Sequence, residues 1–106
     1  MAEEFVYRQI QGGKVVVFMK PTCPYCKRAQ ELLNQLPFKR GFLEFVDITT
    51  WDDTDSIQNY FQVLTGAKTV PRIFFGKDCI GGYTDLVTLQ QKGELLPRLK
   101  QMGALQ

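Results

Sequence analysis

The stretch that decides the fold of this chain is residues 15–28, which read VVVFMKPTCPYCKR. A continuous β-branched and aromatic run with no polar alternation is typical of a strand buried on both faces, so we predict a strand over residues 14–19. Pro24 suits the first position of a helix, where its missing N–H costs nothing, and this makes Cys23 the N-cap. The stretch therefore predicts a strand followed by a helix whose tip carries Cys23.

Two cysteines, Cys23 and Cys26, stand at C-x-x-C spacing within this stretch. The apolar residues that follow at helical spacing are Ala29, Leu32, Leu33 and Leu36. They form a core-facing stripe, and Cys26 lies on it. We therefore expect Cys23 to be exposed at the helix tip and Cys26 to point inward, with Pro37 ending the helix.

Outward from this unit, the periodicity predicts an α/β chain in the order α-β-α-β-α-β-β-α-α. The predicted helices cover residues 5–10, 24–36, 57–64, 85–89 and 94–102, and the strands cover 14–19, 42–48, 72–75 and 77–80. A helix between two buried strands indicates a parallel β-α-β unit. Gly76 and Lys77 form a two-residue hairpin turn with glycine first, and Thr84 caps the helix that begins at Asp85.

Length and composition restrict the class of protein. A chain of 106 residues supports one domain, here 1–106, with a single core. Its net charge of +2 comes from mixed basic and acidic residues, so no nucleic-acid interface is predicted. The longest apolar run is too short to cross a membrane, and no signal peptide is evident. Three cysteines without a secretory signal indicate a reducing, cytoplasmic location.

A C-x-x-C pair has three common uses, which are zinc binding, a structural disulfide and thiol–disulfide exchange. Structural zinc needs four ligands, whereas this chain has no histidine and only Cys79 to add, so no metal is expected. A structural disulfide would close a very small loop in a reducing compartment. Thiol–disulfide exchange is the interpretation that the pair favours.

The position of Cys23 suits that chemistry, because the thiolate is the attacking species and a free cysteine, with a pKa of about 8.5, is mostly protonated at neutral pH. A helix N-terminus directs unpaired N–H groups and a positive dipole end at the sulfur, and Lys20 and Lys27 add positive charge. We expect these effects to favour the anion. Cys26, one turn later, can displace a mixed disulfide from Cys23. The alternative is that Cys26 is only a small buried core residue.

Three motifs together, Cys23-Pro24-Tyr25-Cys26, Thr69-Val70-Pro71 and Gly81-Gly82-Tyr83-Thr84-Asp85, resemble those of dithiol glutaredoxins (thioltransferases) of the cytosolic vertebrate and poxviral type. The match runs from Val15 to the C-terminus. The resemblance implies a thioredoxin fold, with a four-stranded mixed sheet flanked by helices. It also implies glutathione as co-substrate.

The same resemblance implies which residues bind glutathione. In the family the proline of the Thr-Val-Pro motif is cis, and the preceding residue, here Val70, pairs its backbone with the cysteine of glutathione. Lys20 and Gln58 match residues that contact the glycine carboxylate, and the Thr-Asp pair after the glycines binds the γ-glutamyl end. The implied set is Lys20, Tyr25, Gln58, Lys68, Thr69, Val70, Pro71, Gly82, Thr84 and Asp85.

Each of these roles has a simpler alternative. Lys20 and Lys68 could be solvated surface charges, since most lysines are. Asp85 could serve only as a first-turn acid favoured by the helix dipole, or could do both. Thr69 could be an ordinary loop residue.

The chain also departs from its mammalian relatives, which often carry cysteines where Arg8 and Tyr83 stand here. Cys79 is therefore the only extra cysteine and cannot pair with position 83. Because Cys79 lies in a strand pattern, we expect it to be buried and inert. Trp51 lies in a polar loop, and the sequence assigns it no role.

The predicted function is glutathione-dependent reduction of glutathionylated proteins through Cys23, and of protein disulfides through Cys23 and Cys26. NADPH would act only through a separate glutathione reductase, because no dinucleotide fingerprint is present, and no bound nucleotide is expected. The protein is expected to be a monomer. The alternatives are a thioredoxin-type protein reduced directly by a flavoprotein, and a glutathione-ligated iron–sulfur module.

Overall fold

The architecture, taken from a computed structural model, covers residues 2–50 and 53–106, so Trp51 lies outside the described residues. The helices are α1 (Ala2–Gln9), α2 (Pro24–Asn34), α3 (Thr54–Thr65), α4 (Tyr83–Gln91) and α5 (Leu95–Gln101), with a short 3₁₀ helix at Ile48–Thr50. The strands are β1 (Val15–Met19), β2 (Leu43–Asp47), β3 (Arg72–Phe75) and β4 (Asp78–Gly81). The predicted order of helices and strands is confirmed.

The strands form one mixed sheet in the order β2-β1-β3-β4. β1 pairs in parallel with β2, and Val15 lies opposite Leu43 in this ladder. β1 also pairs antiparallel with β3, which in turn pairs antiparallel with β4. The predicted parallel β-α-β unit and four-stranded mixed sheet are therefore confirmed.

The central strand β1 is buried on both faces because a helical layer covers each side of the sheet. Val15 and Val17 pack in one cluster with residues of α2, α4 and α5. Val16 and Phe18 pack in the other with residues of α1 and α3. Alternate side chains of a strand point to opposite faces, so two apolar faces require an uninterrupted apolar run. This double burial holds the end of β1 in place, and the residues after it lead to the tip of α2.

Several predicted boundaries and core positions are wrong. α2 ends at Asn34, so Leu36 lies beyond the helix, although it still packs against the core. Leu64, near the end of α3, is 47% exposed and not on the inner stripe. α4 begins at Tyr83 with Gly82 as N-cap, two residues earlier than predicted. The reason is that the Asp85 carboxylate accepts a hydrogen bond from the Gly82 N–H at 2.9 Å. This bond caps the helix at Gly82, so that Thr84 already lies within the first turn.

The turn between β3 and β4 is the predicted two-residue hairpin. Gly76 has φ +62°, which is the left-handed value that the first residue of such a turn needs and that glycine adopts without strain. No helix within residues 2–50 and 53–106 has the length and apolar character that crossing a membrane would need.

Candidate active site

The sulfur of Cys23 lies at the N-terminus of α2. Cys23 is the N-cap, with extended backbone angles, and its Sγ accepts a hydrogen bond from the Cys26 backbone N–H at 3.2 Å. The Lys27 N–H donates to the Cys23 carbonyl oxygen at 3.2 Å, which is the first bond of the helix. The sulfur thus occupies the position that an N-cap oxygen normally takes, facing the positive end of the helix dipole. The predicted N-cap position is confirmed, but Cys23 is half-buried where full exposure was expected.

The loop before β3 reaches the same sulfur. The Cys23 thiol donates to the carbonyl oxygen of Val70, with 3.7 Å between Sγ and oxygen. The peptide bond between Val70 and Pro71 is cis, as the family resemblance implies. The fold therefore brings together two motifs that lie 47 residues apart in the sequence.

Cys26 is on the inner side of α2 and only 1% exposed, as the stripe predicted. The pKa of the Cys26 thiol is raised to about 12. Burial is the largest cause and the hydrogen bond to the Cys23 side chain is the second, while a hydrogen bond from the Lys20 backbone opposes the increase. Cys26 is therefore a neutral thiol at physiological pH.

The raised pKa of Cys26 predicts a loss of stability at alkaline pH. Above the ordinary cysteine pKa of 9.0 the unfolded chain releases the Cys26 proton, whereas the folded chain holds it until about pH 12. Proton binding is then stronger in the folded state, so the free energy of unfolding should fall as the pH rises between these values. Denaturant titrations at pH 8, 9.5 and 10.5 should show a steeper fall for the wild type than for Cys26→Ser. Parallel pH profiles would contradict the assignment.

The residues just before Pro71 are held from two other elements. From β3, the buried Arg72 donates from Nε to the Thr69 carbonyl oxygen and from Nη2 to Thr69 Oγ1, both at 3.0 Å. From α3, Gln58 Nε2 donates to the Lys68 carbonyl oxygen at 3.0 Å. Arg72 is not among the predicted site residues, although a charged residue inside a buried strand pattern is a signal for such a role.

The double glycine, Gly81-Gly82, packs against the loop that contains Pro71. At Gly82 a Cβ would come within 3.3 Å of the Pro71 carbonyl oxygen, so the two segments are in close contact. Gly81 has φ +115°, and a Cβ there would lie 2.1 Å from Asp85 Oδ2. Only glycine fits at position 81, for both reasons. Because its carboxylate accepts from the Gly82 N–H, Asp85 has the simpler role given above, that of an acid in the first turn of α4. A carboxylate also has further acceptor positions that a ligand could use.

An aromatic contact joins the first and third motifs. The rings of Tyr25 and Tyr83 stack with 5.9 Å between their centroids and 28° between their planes. The Arg28 guanidinium lies 5.4 Å from the centroid of the Tyr25 ring. In the sequence Tyr83 is part of the third motif and stands where mammalian relatives often have cysteine, but nothing in the local pattern indicates this stacking.

The remaining predicted residues lie close by or at the surface. The Lys20 carbonyl oxygen accepts a hydrogen bond from the Cys23 N–H at 3.1 Å. Thr84 is exposed on the first turn of α4, and its carbonyl oxygen accepts from Thr88. Cys79 is half-buried, where full burial was expected, and packs against the cluster that contains Phe18. Within residues 2–50 and 53–106, no group of three or more His, Cys, Asp or Glu side chains could hold a metal ion.

Comparison with protein families matches residues 15–80 to the glutaredoxin family. The chain is a glutaredoxin. It is similar over its full length to Glutaredoxin-1 of Homo sapiens, with 72% identity over 106 residues covering all of both chains. It is also similar to Glutaredoxin-1 of Ectromelia virus (strain Moscow), with 47% identity covering 99% of this chain and 97% of the relative.

Solved glutaredoxin structures share its fold. The buckwheat glutaredoxin–glutathione complex gives a TM-score of 0.91 at 31% identity, covering 100% of this chain and 94% of that one. The predicted family and thioredoxin fold are confirmed. This glutaredoxin is a glutathione-dependent thiol–disulfide oxidoreductase, and its Cys23 and Cys26 fit the C-x-x-C active site.

Proposed function

We propose that the protein reduces protein–glutathione mixed disulfides through Cys23 alone, and protein disulfides through Cys23 and Cys26. The observation that carries the proposal is the setting of the Cys23 sulfur. It accepts from the Cys26 N–H at 3.2 Å and lies 3.7 Å from the Val70 carbonyl oxygen. The first contact stabilises a thiolate, and the second supports the role of the Val70 backbone as a partner for a bound peptide.

In the first reaction, the Cys23 thiolate attacks the glutathione sulfur of the mixed disulfide. The new disulfide joins Cys23 to glutathione, the old one breaks, and the released protein thiolate takes a proton from solvent. A second glutathione thiolate then attacks the glutathione sulfur held on Cys23. Glutathione disulfide leaves, and the Cys23 thiolate is restored.

In the second reaction, Cys23 forms a mixed disulfide with the target protein, and Cys26 attacks the Cys23 sulfur to release it. Cys26 must lose its proton in this step. Part of the cause of its raised pKa is the side chain of Cys23, through a hydrogen bond and charge repulsion. Once the Cys23 sulfur is in a neutral disulfide, this contribution is removed and the proton is lost more easily. Two glutathione molecules then reduce the disulfide between Cys23 and Cys26 in turn.

We assign glutathione to the cleft between the tip of α2, the loop before β3 and the start of α4. The glycine carboxylate faces Lys20, Gln58 and Lys68, and the γ-glutamyl end faces Thr84 and Asp85. Two carboxylates and one ammonium give glutathione a direction, which lysines at one end and an aspartate at the other would recognise. The likeness to the buckwheat glutaredoxin–glutathione complex supports this assignment. Tyr25, Thr69, Pro71 and Gly82 complete the proposed set.

We place the protein in the cytoplasm as a monomer, where glutathione reductase regenerates glutathione with NADPH. The test follows NADPH oxidation with a glutathionylated peptide as substrate. Turnover should require both glutathione and glutathione reductase, and thioredoxin reductase with no glutathione should give none. Turnover with thioredoxin reductase alone would instead favour a thioredoxin-type protein.

A further inference from the structure

Arg72 is a charged side chain buried at the edge of the proposed glutathione site. It is the first residue of β3, directly after Pro71, and only 7% of it is exposed. Among residues 2–50 and 53–106, no carboxylate lies within ion-pairing distance of its guanidinium. Burying an uncompensated cation is costly, and buried arginines are normally paired. A buried charge next to a substrate cleft therefore calls for a functional explanation.

Within the part of the chain that the structure describes, both side-chain hydrogen bonds of Arg72 go to one residue of the cleft. Its Nε and Nη2 bind the carbonyl oxygen and the hydroxyl of Thr69, a forked contact that fixes both the backbone and the side chain. Its Nη2 also lies 3.8 Å from the point where a Cβ on Gly82 would be. The guanidinium is thus positioned between the Thr69-Val70-Pro71 loop and the double glycine.

We propose that Arg72 is a positioning residue for glutathione, an inference that rests on the proposed function. It holds Thr69 so that the Val70 backbone faces the Cys23 sulfur, and its unpaired positive charge favours a ligand that carries two carboxylates. The Cys23 sulfur itself is hydrogen-bonded to the backbone N–H of Cys26 and to the carbonyl oxygen of Val70. Loss of Arg72 should therefore weaken binding of the glutathione part of the mixed-disulfide substrate, while the reactivity of the Cys23 nucleophile is kept.

The variants that test this are Arg72→Gln and Arg72→Lys, with Arg8→Gln as control. Arg8 is an exposed cation on α1, so its replacement makes the same charge change outside the cleft. The glutathionylated peptide is titrated at a saturating concentration of glutathione, because the glutathione part of this substrate occupies the proposed site. Alkylation of Cys23 by iodoacetamide is followed separately with no glutathione present. A denaturant titration establishes that each variant folds.

We expect Arg72→Gln to raise the KM for the glutathionylated peptide about tenfold, equivalent to about 1.4 kcal/mol, with kcat and the alkylation rate changed less than twofold. Arg72→Lys should give a smaller increase, because lysine keeps the charge but cannot make the forked contact. Arg8→Gln should match the wild type. A purely structural role would instead lower kcat and the alkylation rate together with stability, and that result would overturn the proposal.

A folded Arg72→Gln variant with the wild-type KM would also overturn it. If Arg72→Gln does not fold, the KM of Arg72→Lys decides, and a wild-type value refutes the proposal. Failure of the proposed function is seen separately, because the wild type itself would then show no glutathione-dependent turnover.

Discussion

Replacing Cys23 with serine should abolish reduction of a glutathionylated peptide, with a loss of about a thousandfold or more in kcat/KM. Serine takes the same N-cap position and keeps the bond from the Cys26 N–H, so the fold should be preserved. A hydroxyl cannot form the disulfide with glutathione on which the reaction depends, and it stays protonated at neutral pH. The measurement is the glutathione-dependent NADPH assay, with the unfolding midpoint as the check on folding. Activity that survives this substitution would exclude Cys23 as nucleophile.

Cys26→Ser is the matched variant. The Cys23 sulfur is held by the backbone N–H of residue 26, which serine retains, and not by the Cys26 thiol. We therefore expect reduction of the glutathionylated peptide to remain within a fewfold of wild type. Reduction of a protein disulfide that needs the second thiol should be lost. Equal loss of both activities would show that Cys26 is required for the first reaction too.

Gly81→Ala should produce the second large effect, because it displaces the Asp85 carboxylate. The added methyl would lie 2.1 Å from Asp85 Oδ2, and φ of +115° is a conformation that alanine rarely adopts. Backbone strain of about 1–3 kcal/mol and a lost cap bond of about 1 kcal/mol together lower the free energy of unfolding by about 2–4 kcal/mol. If Asp85 faces the γ-glutamyl end of bound glutathione, as proposed, the KM for the glutathionylated peptide should also rise several-fold.

Gly93→Ala is the control, because it introduces backbone strain without displacing a neighbouring side chain. Gly93 has φ +71°, and no atom lies within 4 Å of the point where its Cβ would be. Its substitution should cost only about 1–2 kcal/mol and leave the KM unchanged. Denaturant titrations of both variants, and titrations with the glutathionylated peptide at saturating glutathione, provide the comparison. If the two variants have the same free energy of unfolding and the same KM, the position of the Asp85 carboxylate does not depend on the absence of a side chain at Gly81.

The sequence was most informative where local chemistry alone determines structure. Pro24 as first helical residue predicts Cys23 as the N-cap, because that position follows from backbone constraints within a few residues. The uninterrupted apolar run of β1 predicts burial on both faces for a similar reason. Cys26 on the helical stripe predicts a buried thiol, and the structure agrees at each of these points.

Features that depend on which of several possible partners a side chain contacts were not predicted. The start of α4 at Tyr83 depends on Asp85 reaching back to Gly82, which competes with capping by Thr84. Burial of Arg72 in a strand is explained by the hydrogen bond that its guanidinium donates to Thr69, which the strand pattern does not reveal. The stacking of Tyr83 on Tyr25 joins residues that are far apart in the chain. The roles of the glutathione-binding residues stay predictions until the variants are measured.

The Val70 carbonyl oxygen links two events at the site. It accepts from the Cys23 thiol only while that thiol carries its proton. When the sulfur enters a disulfide, the oxygen loses this donor, and an unpaired acceptor costs free energy in a half-buried place. An extended peptide whose N–H points at the oxygen removes the penalty. In the proposed mechanism one oxygen therefore serves two states of the site, first as acceptor for the free Cys23 thiol and then as acceptor for the backbone of the glutathione that Cys23 takes up.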